Sequence, residues 1–222
     1  MNRIVLLMET GRPAVKEAAA WFAAHGDKVY IGVQEMMPTQ RLEQAEYLVF
    51  DPLVPESLAA AAETVEQADG RLDILVVGAA CHPQDGEIGA GHDSAVLVDA
   101  MMRNVYGSRS TAEAFLPLLR RGMKRIAAIT EIESSNSWST GKTDLAYHAS
   151  LAGLNMMGKI LFNHLRPEGF TFRWYCDDGA PGGMCAADYI TSGLCYDEKE
   201  PYIHSDENRL VLRDAWLREI SW

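Results

Sequence analysis

Two hydrophobic rhythms alternate along the chain. Short runs made almost wholly of apolar residues recur at Arg3–Met8, Lys28–Val33, Tyr47–Phe50, Leu72–Val77, Arg125–Thr130 and Phe170–Cys176. Between them lie longer segments with helical periodicity, Pro13–His25, Pro55–Ala68, Ser94–Arg120 and Tyr147–Leu165. A run that is apolar on both faces, such as the stretch after Asp73, is expected of a strand covered on both sides. Pro13 near the first turn and Gly26 just past the end bracket the first helix. Strand and helix in strict alternation predict a parallel sheet, with right-handed crossovers placing helices on both of its faces.

No repeat or linker divides the 222 residues, so the expected architecture is one Rossmann-like, doubly wound α/β domain of three layers, α/β/α. Residues 180–222 read as an irregular extension packed on that domain. Residues 180–206 are rich in Gly, Pro, Cys and Asp, Asn208–Leu212 predicts one last strand, and the aromatic ending Arg213–Trp222 reads as packed. The sequence His204-Ser205-Asp206-Glu207-Asn208 holds hydrolase residue types. Neighbours in one loop do not easily form a catalytic triad, so a turn with capping side chains is the expected role.

Composition narrows the function. The hydrophobic share is 48% and the charged share 23%, ordinary globular values. The net charge of −11 and the lack of a basic stripe argue against a nucleic-acid partner or an anionic membrane surface. The apolar start Ile4–Met8 is too short for a signal peptide and meets Glu9 before any cleavage site. No run approaches the roughly 20 apolar residues of a membrane span. A cytoplasmic location is the expectation. Cys81, Cys176, Cys185 and Cys195 lack the spacing of zinc or redox motifs, so reduced thiols and no metal are expected, Cys81-His82 being the only metal candidate.

Several segments resemble the short-chain dehydrogenases/reductases. Tyr147-His148-Ala149-Ser150-Leu151 resembles the family's Tyr-x-Ala-Ser-Lys, with Leu151 where the lysine stands. Arg103-Asn104-Val105-Tyr106-Gly107 followed by Ala114–Leu119 resembles its Asn-Val-x-Gly helix and Leu-Pro ending. Gly70–Val76 and Leu165–Gly169 resemble the segments leading into the fourth and sixth strands. The resemblance covers roughly residues 3–180. It implies an NAD or NADP cofactor and a small carbonyl or alcohol substrate. Tyr147 would be the acid that protonates the carbonyl, Asn104 would hold a water in a proton relay, and a loop serine would hydrogen-bond the carbonyl. The family's Ser-Ser aligns with Thr130-Glu131, so Ser134, at a suitable distance from Tyr147, becomes the candidate serine. The helices bearing Asn104 and Tyr147 match the pair through which the family forms dimers or tetramers. Met101, Met102, Met156 and Met157 supply either a soft contact surface or simple core packing.

The departures fall on the cofactor side. The lysine replaced by Leu151 would lower the tyrosine pKa and hold the nicotinamide ribose; a free phenol is only about 0.1% ionised at neutral pH. Lys142 and Lys159 are the candidate substitutes. The family's Thr-Gly-x-x-x-Gly-x-Gly falls on Met8–Val15, where Glu9, Pro13 and Val15 replace the glycines that make the turn and admit the pyrophosphate. Gly11 and Arg12 remain as contacts for an anion at a helix start. Glu35 is a candidate for the ribose, leaning towards NAD, Asp51 for the adenine, and Ala79 for the segment after the fourth strand. Asp177-Asp178-Gly179 replaces the Pro-Gly that flanks the nicotinamide. Two readings stay open: a carbonyl reductase, or a relative with an impaired NAD(P) site that serves as a binding or assembly subunit.

Overall fold

A computed structural model describes residues 2–35, 41–89, 91, 93–179, 182–193 and 209–222. The predicted strands are all present: β1 (Ile4–Met8), β2 (Lys28–Val33), β3 (Ala45–Val49), β4 (Ile74–Gly78), β5 (Arg125–Glu131) and β6 (Thr171–Asp177). They lie in the order β3-β2-β1-β4-β5-β6 and pair in parallel. The order reverses between β1 and β4, and such a switch point opens a crevice at the carboxyl ends of the strands. Two further strands of two residues each, β7 (Leu212–Arg213) and β8 (Glu219–Ile220), extend the same sheet, β8 antiparallel. The expected strand at Asn208–Leu212 is thus shifted towards its end, and Asn208 itself lies outside the described residues, as does the candidate turn 204–208.

Helices α1 (Pro13–Ala24) and α2 (Pro55–Asp69) match their expected bounds closely. The helix expected over Ser94–Arg120 is continuous but not uniform. It comprises α3 (Ser94–Met101), a π-helical turn (Met102–Tyr106) and α4 (Gly107–Arg121). The Gly107 amide bonds to the Met102 carbonyl across that turn. Such an inserted residue rotates the side chains of one turn relative to the rest of the helix, and here Asn104 within it is fully buried. α5 (Leu145–Leu165) begins two residues before Tyr147, and a short α6 (Ala186–Thr191) lies in the segment expected to be irregular.

The core is in two parts, one on each face of the sheet. One gathers Phe115, Phe162, Phe172 and Trp174 with the inward residues of α2, α4 and α5. The other gathers Val15, Phe22 and Tyr189 with those of α1 and α6. Fully burying each such large side chain contributes roughly 1.5–3 kcal/mol. The extension is tied in by buried Arg125, which donates to the carbonyls of Ile190 and Ser192 at 2.9 and 3.0 Å. Close approach of α5 to β6 depends on Gly158, where an added Cβ would lie 2.2 Å from Trp174 Cζ2.

Candidate functional site

The site lies where β1, β4 and β5 end beneath the start of α5. Tyr147 is buried in the first turn of α5. That helix starts at Asp144, which adopts φ 59°, and Asp85 Oδ2 accepts the Ala146 amide at 3.1 Å. Glu87 and Thr143 form an antiparallel bridge, and the Asp144 amide bonds to the Gly86 carbonyl at 3.1 Å. The segment following β4 is thereby folded over the start of α5. It brings the His82 ring onto Tyr147, with centroids 3.8 Å apart and planes at 22°.

The Tyr147 hydroxyl donates to Glu131 Oε2 at 2.9 Å. Glu131 is the last residue of β5, one of the two positions where the resemblance calls for serine. Its other oxygen, Oε1, forms an ion pair with Arg12. The Arg12 guanidinium carbon lies 5.5 Å from the Tyr147 ring centroid. Arg12 stands at the N-terminus of α1, so its side chain spans from the turn after β1 to the end of β5. Burial, with the carboxylates of Glu133 and Asp177, pushes Glu131 up to about 7. The Arg12 contact works against this, favouring the ionised form. Burial lowers the Arg12 pKa, opposed by Asp177 and Glu133. Burial and the Arg12 charge hold His82 below the usual imidazole range.

Asn104 acts as a three-way bracket. Its Oδ1 accepts the Cys81 amide at 2.8 Å, and its Nδ2 donates to the Cys81 carbonyl at 2.7 Å and to Ser150 Oγ at 2.8 Å. Ser150 in turn donates to the Tyr147 carbonyl at 2.7 Å. The candidate relay residue therefore ties the segment after β4 to the first turns of α5, and both amide hydrogens are engaged by protein atoms. Leu151 is fully buried against Ala79 and Tyr147, so an apolar contact fills the place of the expected ammonium. Ala79, a candidate cofactor contact, is part of that packing. Of the two candidate lysines, Lys142 is exposed and Lys159 lies with Nζ 5.0 Å from the Phe162 ring centroid. Ser134 sits in a short 3-10 turn, Ile132–Ser134, and is buried with Oγ unpaired among the described residues. The Tyr147 hydroxyl is itself engaged by Glu131, which accepts from it.

The turn after β1 also has its own carboxylate. Glu9 Oε1 accepts the Gly11 amide at 2.6 Å, and Gly11 adopts φ 76°, a conformation open to glycine. Asp51 Oδ1 accepts the Leu53 amide at 2.9 Å, shaping the entry to α2. Glu35 is exposed just past β2. Between them is a cavity of about 50 Å³, lined in part by Glu9, Gln34, Phe50 and Arg103. No cluster of metal-ligating side chains is present among the described residues, and no described helix is long and apolar enough to cross a membrane.

Comparison with known proteins gives a consistent assignment of kind. A family profile described as enoyl-(acyl carrier protein) reductase matches residues 15–173. A short-chain dehydrogenase/reductase of Stachybotrys chlorohalonatus is 30% identical over 136 residues, 58% of this chain and 49% of that protein. The C-signal protein of Myxococcus xanthus is 35% identical over 79 residues, 35% of this chain and 48% of that protein. The chain thus spans about half the length of the curated relatives it matches. Among solved structures, the Drosophila melanogaster carbonyl reductase Sniffer superposes with a TM-score of 0.76 at 16% identity, with 100% of both chains covered. An NADPH-bound carbonyl reductase from chicken fatty liver gives 0.74 at 16% identity, covering 100% of this chain and 99% of that one.

Proposed function

The chain belongs to the short-chain dehydrogenase/reductase family, and from that premise we propose that its own side chains close its dinucleotide crevice. It then works as a non-catalytic or weakly active binding and assembly subunit. The observation that carries this reading is the Arg12–Glu131 ion pair laid against Tyr147. A cation at the start of α1 is suited to a pyrophosphate, but here its partner is a carboxylate of the protein. Three further features agree. Glu9 already accepts the Gly11 amide, Leu151 places apolar surface beside Tyr147, and Glu133 and Asp177 add negative charge near Glu131. As arranged, these residues do not fit a bound dinucleotide. An ion pair broken one-sidedly leaves the other charge uncompensated in a partly buried site, which is costly.

Assembly is supported by the face that α3, the π turn and α5 present together. Met156 and Ile160 are each 61% exposed. They border a groove of about 740 Å³ that is lined mainly by Met101, Met102, Val105, Tyr106 and Leu161. A homodimer or homotetramer closing over this groove would cover the exposed apolar side chains of Met156 and Ile160.

A second reading, an NAD(P)H-dependent oxidoreductase that reduces a small carbonyl, is favoured by the directed Tyr147–Glu131 hydrogen bond. A phenol held in one orientation is suited to proton donation. Titration of the purified protein with NADH and with NADPH, followed by tryptophan emission, separates the readings. Trp138, in the loop before α5 and 43% exposed, is the expected reporter. Saturation at micromolar cofactor would refute the closed crevice. The absence of saturation at millimolar cofactor would refute the reductase. Under the closed-crevice reading, Glu131→Gln combined with Glu9→Gly releases Arg12 and the Gly11 amide and strengthens binding of the same cofactors.

A further inference from the structure

Tyr147 is 1% exposed, yet the ring stacked on it, His82, is itself exposed. His82 begins a strap, residues 82–89, that has no helix or strand of its own and crosses the first turn of α5. One end is anchored, because Asn104 holds both the amide and the carbonyl of Cys81. Beyond that anchor the ties are polar. Asp85 Oδ2 accepts the Ala146 amide at 3.1 Å, the Asp144 amide donates to the Gly86 carbonyl at 3.1 Å, and the Gly86 amide reaches Asp144 Oδ1 at 3.4 Å. Glu87 bridges to Thr143. Little apolar burial holds the tip down, since Ile88 is 83% exposed. Gly86 and Gly89, at φ 74° and 97°, flank Glu87 and Ile88, and a Cβ at either would meet nothing within 4 Å among the described residues.

We propose that residues 82–89 are a lid over Tyr147, hinged at Cys81, and that a ligand reaches the phenol only when the lid swings off the first turn of α5. The seam carries its own bias towards opening. Asp85 Oδ1 is buried without a partner among the described residues. Closure therefore desolvates one carboxylate oxygen with no hydrogen bond to compensate, which offsets much of what Oδ2 gains from the Ala146 amide. Opening returns the whole carboxylate to water. Asp144, which receives the strap, sits at φ 59°, a region that non-glycine residues adopt infrequently. A segment with few apolar contacts and a seam of rim hydrogen bonds belongs to the part of a fold that opens locally, ahead of global unfolding. None of these ties uses an atom of Glu131, Arg12 or Glu9, so the lid stands or fails apart from the state of the dinucleotide crevice.

Two measurements on the full chain test this, and neither needs a cofactor. Amide hydrogen exchange read by NMR follows Asp144 and Ala146, whose amides are held by the lid. Both should exchange at least about a hundredfold faster than buried Leu154 further along α5, through an opening insensitive to low urea. Exchange of both at the Leu154 rate would overturn the lid. The second measurement is acetylation of tyrosines by N-acetylimidazole, mapped by mass spectrometry, in a variant carrying Glu87→Cys and Thr143→Cys. Opposed residues of an antiparallel bridge have Cα atoms about 4.5–5.5 Å apart, within the range of about 4.4–6.8 Å that a disulfide spans. Oxidation should pin the lid and slow Tyr147 acetylation at least about tenfold, in proportion to the lost open fraction, and reduction should restore it. Tyr30, fully buried in the core, reports global unfolding and should stay slow in both forms. In the otherwise unchanged chain, His82→Ala removes the covering ring and should speed Tyr147 acetylation. Equal Tyr147 rates in the oxidised and reduced forms, a wild-type Tyr147 no faster than Tyr30, or no response to His82→Ala would each refute the proposal.

Discussion

Replacement of Asn104 by alanine should destabilise the fold substantially, and the size of the effect follows from its contacts. The side chain is fully buried and makes three hydrogen bonds of 2.7–2.8 Å. Each contributes about 0.5–1.5 kcal/mol net, and more where the abandoned partner cannot reach water. The Cys81 amide and carbonyl are only partly buried and regain some solvent, while Ser150 keeps its bond to the Tyr147 carbonyl. The expected loss is therefore about 3 kcal/mol, or a fall in Tm of roughly 6–12 °C for a chain of this size. Urea unfolding followed by far-UV circular dichroism measures it, with the m-value checking that the same surface is exposed. Asn104→Asp keeps an acceptor for the Cys81 amide but turns an oxygen towards the Cys81 carbonyl, so it should rescue little at neutral pH. A loss below about 1 kcal/mol for the alanine variant, less than the net worth of three ordinary hydrogen bonds, would refute the bracket and return Asn104 to a purely chemical role.

Other consequences are equally direct. Gly158→Ala should cost about 1–3 kcal/mol by overpacking and change the near-UV signal of buried Trp174, since the new Cβ meets its ring at 2.2 Å; unchanged stability and spectrum would count against the tight α5–β6 approach. The Glu131 carboxyl is raised from 4.5 towards about 7, so the native state binds this proton more tightly than the unfolded chain. Its stability contribution is complete below about 4.5 and lost as pH rises towards about 7. Glu131→Gln should flatten the decline of stability across that window, and identical pH profiles for wild type and variant would contradict the buried, crowded carboxyl. Met156→Glu with Ile160→Glu should convert an assembled protein to monomers on sizing chromatography while leaving Tm nearly unchanged, because both side chains are exposed in the isolated chain. A wild type that elutes as a monomer would remove the basis for assembly through this face.

The six long strands and the major helices were legible because their patterns reflect burial that does not depend on detail. A run such as Ile74–Gly78, buried throughout, suits little but a covered strand. The π turn left no comparable mark, since one inserted residue in Met102–Tyr106 changes neither composition nor apolar spacing. α6 has six residues and β8 two, too few to stand out in a segment rich in glycine and cysteine. At the site, Tyr147, Asn104 and Arg12 were found as residues but not as a set of contacts. Ser134 was chosen as the serine for the substrate carbonyl by its distance along the chain from Tyr147; the group that meets the phenol itself is Glu131, sixteen residues before Tyr147. The signal was present in Thr130-Glu131, where a carboxylate at the end of a buried strand faces the first turn of the next helix. Its ion pair with Arg12 joins residues far apart in the chain, and no local pattern encodes such a pairing.

The contact between Glu9 and the Gly11 amide turns the start of α1 into a receptor with a tethered ligand. The carboxylate is attached two residues from the donor it occupies, so it competes as an intramolecular group with a high effective concentration. Any phosphate approaching this turn has to displace that group as well as bind. The measured affinity is then the intrinsic affinity multiplied by the fraction of time the amide is free of the carboxylate. Protonating or removing Glu9 should therefore raise the affinity of the turn for several unrelated anions by one common factor. Simple charge repulsion would instead penalise a doubly charged phosphate more than a singly charged one.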